Sequence, residues 1–498
     1  MMTTTDLSSA PELERKYDVS DETQEPGFEG FQSERLETLS LRASYFDTGE
    51  RALLRHRITL RRRAGGHDDG WHIKTPLRSG RLETRAALSN HPPASLLDRV
   101  RAIIRDAELV QIATVSTERS EIRLFLDGTA VAEFSDDRVT ASDAASGTLT
   151  MWREWEVELL PDAAARADAE DLLDRIEASV ISAGAVNSSS RSKLARVVGE
   201  AAAVAATKPR TALEVAVGIV HELTAALIDA DMALRAGDRS AVHEMRKTLR
   251  RLRAVLATTR PVLASAVTDD IRERLSDLAH VLAPVREAQV RREQAARLLA
   301  DERRADFPAQ VRERLEADAN GRAADGEDAI NARLDSTAYF RLLDDLELLA
   351  SRPPIARDFA RKPRARFEKS ARKQLLRVSR RLAALDPDDL ASMHRARKAA
   401  RRFRYAVEAL SSPPASVLSK RWRAVGKAAK AIQDAAGEHR DTLLLVDDLT
   451  RMARDAATAG ENSAFYGMLA EAQSRRAESL VDDVMRAAES FRSAAASL

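Results

Sequence analysis

From residue 12 to about residue 198 apolar and polar positions alternate in short runs, a period of two that predicts strands. In PELERKYDVS, residues 11–20, Glu12, Glu14 and Lys16 share one side and Leu13, Arg15 and Tyr17 the other. RHRITLRRR places Arg55, Arg57, Thr59, Arg61 and Arg63 on one face and His56, Ile58 and Leu60 on the opposite one. In RLETRAAL, Arg81, Glu83 and Arg85 point one way. In RSEIRLFLD, Arg119, Glu121 and Arg123 alternate with Ile122, Leu124 and Leu126. Glu133 opposes Ala132 and Phe134, and in MWREWEVELL, Glu154, Glu156 and Glu158 alternate with Trp155, Val157 and Leu159. Turn signals such as Asp47-Thr48-Gly49, Gly65-Gly66, Asp127-Gly128 and Ser146-Gly147 separate the runs. Two stretches, near 94–107 and 163–183, read as helices instead.

The texture changes after residues 200–210, EAAAVAATKPR, which read as a linker. From 211 to 497 apolar residues fall at helical spacing in an Ala-, Leu-, Arg- and Glu-rich background. Prolines stand where helices would end, at Pro261, Pro353-Pro354 and Pro413-Pro414. The expected fold class is α+β, with an N-terminal domain over 8–199 and an all-α domain over 211–497.

Composition narrows the possibilities. A chain of 498 residues is too long for one core. Charged residues make up 32%, yet the net charge is only +1, so bulk charge is not expected to coat nucleic acid. Any anion binding must be local. With no cysteine there is no disulfide, thiolate metal site or cysteine nucleophile. The start, MMTTTDLSSAPELE, lacks the apolar core of a signal peptide. No apolar run nears the ~20 residues needed to span a bilayer. A soluble, cytoplasmic protein is the expectation.

The charged strand faces are the unusual feature. A wet antiparallel sheet explains alternation by itself. Here, however, some strands are arginine-rich and others carboxylate-rich, and the predicted helices need an apolar sheet face to sit on. A curled, closed sheet with an ionic interior and helices outside satisfies both. Such an interior must be compensated. A metal-bound polyphosphate compensates both signs, since the cation prefers oxygen ligands and arginine forks take phosphate oxygens.

On these residues the chain resembles the CYTH domain, the triphosphate tunnel metalloenzyme family. Glu12-x-Glu14-x-Lys16 is similar to its signature. Tyr45-Phe46-Asp47-Thr48, Leu60-Arg61-Arg62-Arg63, Lys74 in WHIKTP, Arg119, Glu156-x-Glu158 and Ser192-Lys193 follow in the family's order. The resemblance implies an eight-stranded antiparallel tunnel that processes triphosphate compounds with Mg²⁺ or Mn²⁺. It implies Glu12, Glu14, Glu156 and Glu158 as metal ligands or holders of the metal's water. Lys16, Arg61, Arg63, Lys74, Arg119, Arg123 and Lys193 would hold the phosphates. Glu14, Lys16 and Glu158 are the residues implied for catalysis, with Glu14 or Glu158 orienting water. Glu133, Asp136 and Asp137 are weaker candidates for a further metal contact, and Glu154 is placed at the tunnel mouth. For any single arginine, a structural salt bridge is the rival role.

The C-terminal half contains a repeat. HEMRKTLRRLR, residues 243–253, and HRARKAARRFR, residues 394–404, both read H-x-x-R-K-x-x-R-R-x-R. LAPVRE, residues 282–287, aligns with AGEHRD, residues 436–441, setting Arg286 against Arg440. Two pseudo-symmetric helical-bundle repeats, about 211–340 and 341–497, follow. His243, Arg246, Arg250 and Arg253 fall in one arc of a helix, widened by Lys247 and Arg251. His394, Arg397, Lys398, Arg401, Arg402 and Arg404 do the same. A solvated basic face is the ordinary explanation. Repeating mutually repelling cations at matched positions points to an anionic partner.

This half resembles the CHAD domain, a helical family found beside CYTH domains. The carriers are the two H-x-x-R-K helices, Arg404-Tyr405 with Glu408, and Gln433…Gly437…Asp441. One departure is Val285-Arg286-Glu287-Ala288-Gln289-Val290, where the family commonly shows R-D-x-D-V. The resemblance implies inorganic polyphosphate binding by His243, Arg246, Lys247, Arg250, Arg253, His394, Arg397, Lys398, Arg401 and Arg404. The basic run 361–381 is either an extension of that surface or a solvated helix. Tyr405 and Trp422 are expected in the core.

Together these readings give a metal-dependent triphosphatase acting on inorganic triphosphate or a related linear phosphate, joined to a polyphosphate-binding module. The alternatives are a non-catalytic polyphosphate-binding or granule-associated protein, a thiamine triphosphatase, and adenylate cyclase chemistry. Membrane and nucleic acid are not among the expected partners.

Overall fold

The computed structural model describes residues 7–66, 68–77, 80–199, 209–299, 309–356 and 362–498. Residues 200–208 of the expected linker, and the first residue of the basic run 361–381, lie outside the described residues. The chain divides into two compact units, Met1–Ala205 and Ala206–Leu498.

The N-terminal unit is built on one antiparallel sheet. Its strands are β1 (Ser8–Glu12), β2 (Glu14–Val19), β3 (Gln32–Arg35), β4 (Leu39–Thr48), β5 (Thr59–Ala64), β6 (Gly70–Pro76), β7 (Arg81–Ala86), β8 (Leu109–Leu126), β9 (Thr129–Asp143), β10 (Leu149–Leu159) and β11 (Val186–Asn187). The order is β1-β7-β6-β5-β4-β8-β9-β10-β2-β11, with β3 added to β8. Because β1 pairs with β7 and β2 with β10, the two ends of the curled sheet meet in one segment, 8–19. Three features take the count from the expected eight strands to eleven: a break at Leu13 divides the first strand, and β3 and the two-residue β11 are side additions. Gly80 allows the closure. Its φ is +75°, and a Cβ there would lie 2.3 Å from the Glu12 carbonyl oxygen.

Outside the sheet, Tyr17, Leu124, Phe134, Trp155 and Val157 pack on Leu172, Leu173, Ile176 and Val180 of the helix Ala169–Ser182. This is the apolar face that the alternation predicts. The other predicted helical stretch is broken into Ala94–Asp98 and Arg101–Ile104. RHRITLRRR is only partly strand. Arg55 ends the helix Ala52–Arg55, Arg57 sits at φ 60°, and β5 begins at Thr59. Asp47 explains the departure, since its carboxylate accepts the backbone N–H groups of Leu53 (2.8 Å) and Leu54 (2.9 Å) and caps that turn.

The second unit is helical: Ala212–Arg235, Ala241–Thr259, Ser265–Val281, Ala283–Leu299, Ala309–Leu334, Thr337–Ser351, Pro363–Ala383, Leu390–Ser411, Lys420–Thr458 and Ala464–Ala496. Thr211 and Glu214 form a capping box on the first of these, with Thr211 Oγ1 accepting from Glu214 N at 3.2 Å and Glu214 accepting from Arg210 N at 2.6 Å. The helix Leu390–Ser411 packs on both Ala241–Thr259 and Lys420–Thr458. Tyr405 and Trp422 are buried in this core. Pro363–Ala383, the basic run, buries Phe367, Ala371, Val378 and Leu382 and turns its cations outward. Among the described residues no helix is long and apolar enough to cross a membrane.

Candidate active site and anion-binding surface

The inward faces of the sheet enclose a cavity of about 580 Å³. Glu12, Glu14, Lys16, Arg61, Arg63, Lys74, Arg119, Arg123, Glu156, Glu158 and Lys193 all line it. It carries nine Lys or Arg side chains against eight Asp or Glu. Register explains the convergence. Lys16 stands opposite Glu156 and Glu14 opposite Glu158 across β2 and β10, while Arg119 faces Asp137 and Arg123 faces Glu133 across β8 and β9. Lys193 arrives from the helix Lys193–Val198, whose first turn is capped by Ser192 Oγ accepting from Ala195 N at 3.1 Å. Leu194 of that helix packs on Ala43, Tyr45, Val115 and Val139, so aliphatic contacts accompany the ionic ones.

The charges form two groups. In one, Asp137, Glu154 and Glu156 converge on the Lys193 ammonium at 2.8, 2.6 and 2.7 Å. Arg119 adds a fork on Asp137 (2.7 and 2.6 Å) and a bond to Glu156 (2.7 Å). Burial alone would raise Asp137 and Glu156, but Arg119, Lys193 and, for Glu156, Lys16 outweigh it and hold both below the ordinary carboxylate range. These three carboxylates are close enough together to hold a metal ion. Glu154 is buried here, away from the mouth where the sequence placed it.

The second group has charge to spare. Glu158 lies between Glu14 on β2 and Glu133 on β9, directly opposite each in register. Among the described residues its side chain makes no hydrogen bond or ion pair. Burial raises Glu158, Lys74 opposes this, and Glu14, Glu156 and Glu83 raise it further. Glu12 is raised to about 7 by burial, against Lys74 at 2.7 Å, with Glu83, Glu158 and Glu14 adding to the rise. In Glu14 burial is outweighed by Lys16 and Lys74, and its value falls to about 2. Like charges opposite one another in a sheet destabilise it unless a cation intervenes. A hard cation bound by oxygen fits this row.

Glu83 is a residue the sequence reading left out of the site. It is buried behind the cavity wall, accepts from Arg61 (3.3 Å) and Arg85 (2.5 Å), and meets His72 Nδ1 at 3.0 Å. Its parity with Arg81 and Arg85 is the signal that could have found it.

In the helical unit the structure gathers most of the predicted cations. Arg246 and Arg401 are each lowered to about 10 by burial and by neighbouring arginines, Arg250 first in both cases. Arg397 is lowered by burial and opposed by Asp441, with Arg440 and Arg250 beside it. His243 is lowered by burial and by Arg286, and His394 by burial, Lys398 and Arg440. Arg286 and Arg440, aligned by the repeat but not assigned a role from sequence, therefore belong to the same cluster. Arg253 stands beside Arg272. Two predicted residues are engaged with carboxylates: Lys247 pairs with Glu244 at 2.7 Å and Arg404 with Glu408 at 2.6 Å.

Comparison with known proteins identifies both halves. The CYTH domain profile matches residues 10–184 and the CHAD domain profile residues 218–450. Two uncharacterized proteins of Mycobacterium tuberculosis, from strains H37Rv and CDC 1551, are each 35% identical over 493 residues, covering 94% of this chain and 93% of theirs. The chain belongs to the family that joins a CYTH domain to a CHAD domain. Among solved structures, the CHAD domain from the plant Ricinus communis is 24% identical, covers 58% of this chain and 95% of its own, and has a TM-score of 0.44. PptA from Streptomyces chartreusis is 21% identical, covers 57% of this chain and 99% of its own, with a TM-score of 0.40. As a CYTH member the protein belongs to a metal-dependent, triphosphate tunnel class of enzyme.

One glycine of the CHAD unit makes room for a member of the basic cluster. Gly437 lies inside the helix Lys420–Thr458, where glycine costs roughly 0.5–1 kcal/mol relative to alanine. A Cβ at this position would stand 3.1 Å from Arg397 Nη2. The missing side chain lets the guanidinium lie flat against the helix. Gly437→Ala is expected to raise the melting temperature by a few degrees while weakening binding of a polyphosphate chain several-fold, measured by calorimetry on the same samples. A stabilised variant with unchanged affinity would remove Arg397 from the anion surface.

Proposed function

We propose that the N-terminal unit hydrolyses inorganic triphosphate or a related linear phosphate compound, and that the C-terminal unit binds inorganic polyphosphate. The domain limits 8–199 and 211–497, two helical repeats at about 211–340 and 341–497, Mg²⁺ or Mn²⁺ as the cation, and a cytoplasmic location are part of this reading. The observation that carries it is Glu158, set between Glu14 and Glu133 and without an ion pair among the described residues, in a cavity that nine Lys or Arg side chains also line.

Glu12, Glu14 and Glu158 would hold the metal, with Glu156 beside them, although Glu156 is already neutralised by Lys16, Lys193 and Arg119. The bound cation supplies charge neutralisation at the phosphate oxygens. The rest is done by the chain. Arg61, Arg63, Lys74 and Arg119 bind and align the phosphates, and enclosure makes each contact stronger than it is in water. Lys16, held charged by Glu14 and Glu156, meets the oxygens on which charge develops. Glu158, opposite Glu14 and Glu133 and without an ion pair among the described residues, is the group placed to orient water and accept its proton.

A screen of Mg²⁺ and Mn²⁺ against triphosphate, thiamine triphosphate and ATP on the full chain tests the proposal. Phosphate release from triphosphate is the expected result. Cyclic nucleotide from ATP would move the assignment to cyclase chemistry. Polyphosphate binding without turnover under any metal would leave a purely binding protein.

A further inference from the structure

A second cavity of about 440 Å³ adjoins the first and shares Glu12, Glu14, Lys16 and Arg81 with it as a common wall. Its own lining includes Arg57, Arg191, Ser188 and Ser190. The balance of charge differs between the two. The first is nearly even, whereas the second has four cations against two carboxylates, and both of those carboxylates belong to the shared wall. Among the described residues the side chains of Arg57, Arg81 and Arg191 make no ion pair or hydrogen bond. Arg57 also holds a left-handed backbone, φ 60°, which is costly for a side chain of this size and is kept only where the surroundings impose it. Arg57, Arg81 and Arg191 thus line one cavity with their charges unpaired.

We propose that this second cavity binds the phosphate groups of a linear phosphate chain beyond those held in the catalytic cavity, so that the N-terminal unit prefers chains longer than three phosphates. The inference rests on the hydrolase reading above. The contacts it adds come from Arg57 and Arg191, which line only the second cavity, whereas both of its carboxylates belong to the shared wall. Lys16 and Arg81, common to both cavities, are where one chain would pass from one to the other.

The test compares the full-length wild type with Arg57→Gln/Arg191→Gln, two exposed positions outside the catalytic cavity, using inorganic triphosphate and inorganic tetraphosphate as probes. Hydrolysis of triphosphate is expected to stay within two-fold of wild type, while KM for tetraphosphate rises roughly ten-fold. Equal changes for both substrates, or no change for either, would overturn the proposal. Calorimetric titration with tetraphosphate in the absence of metal provides a readout that does not need turnover. Weaker binding by the variant supports the second site even if the wild type hydrolyses nothing, a result that would count against the hydrolase reading alone. Identical titrations would overturn the site.

Discussion

A Lys16→Ala protein is expected to release phosphate from triphosphate roughly 10²–10³-fold more slowly than wild type, the loss typical of removing one preorganised group at the developing charge. Lys16 Nζ lies 2.9 Å from Glu14 Oε2 and also bonds Glu156, and the side chain is largely enclosed. Burial favours losing its proton, but Glu14 and Glu156 outweigh that and keep the ammonium charged. The substitution removes the proposed phosphate contact and takes from Glu14 its ion-pair partner, while Glu156 keeps Lys193 and Arg119. Lys16→Arg, which keeps the charge but changes its position, should recover only part of the rate. The measurement is initial rate at saturating metal, with melting curves confirming that both variants fold. A Lys16→Ala rate within ten-fold of wild type would take this lysine out of the mechanism.

The second large effect is on stability. Lys193→Met is expected to destabilise the N-terminal unit by about 3–5 kcal/mol, because it strips the shared cation from a buried set of carboxylates. Asp137 is 0% and Glu154 3% exposed, so water cannot take the place of the ammonium. Tryptophan fluorescence in urea follows this unit, since Trp71, Trp152 and Trp155 lie in it and only Trp422 in the other. The pH dependence has a definite sign. Asp137 and Glu156 are held below their ordinary values of 3.8 and 4.5, so their contribution is present above those values and lost as pH falls. The deficit of the variant should therefore be largest near pH 7 and shrink below about pH 4.5 as the carboxylates protonate. Added Mg²⁺ or Mn²⁺ should restore part of the loss at pH 7. A deficit below 1 kcal/mol at pH 7 would mean that Arg119 and Lys16 suffice without Lys193.

Where the sequence reading departed from the structure, local forces were responsible. Strand parity at 55–63 is interrupted because Asp47 captures the backbone of Leu53 and Leu54 and turns the chain into a short helix. Arg55 and Arg57 therefore leave the row that Arg61 and Arg63 keep. Glu83 and Glu154 carry the same alternation as their neighbours, yet nothing in the order of residues says that one lies behind the wall and the other deep beside Lys193. The break at Leu13 was likewise invisible, because the strand pattern runs through it without interruption.

Within each strand, the sequence by itself determined the two faces, since a period of two sorts a strand into an ionic and an apolar side whatever its partners are. It also determined, through its motifs and repeat, that a CYTH domain is followed by a CHAD domain. Only the tertiary structure decided which charges meet. Register sets Glu158 between Glu14 and Glu133, and helix packing brings Arg286 and Arg440 to the predicted basic cluster. Charge compensation depends on distances between strands and helices remote in sequence, and those distances are fixed by sheet curvature and side-chain packing.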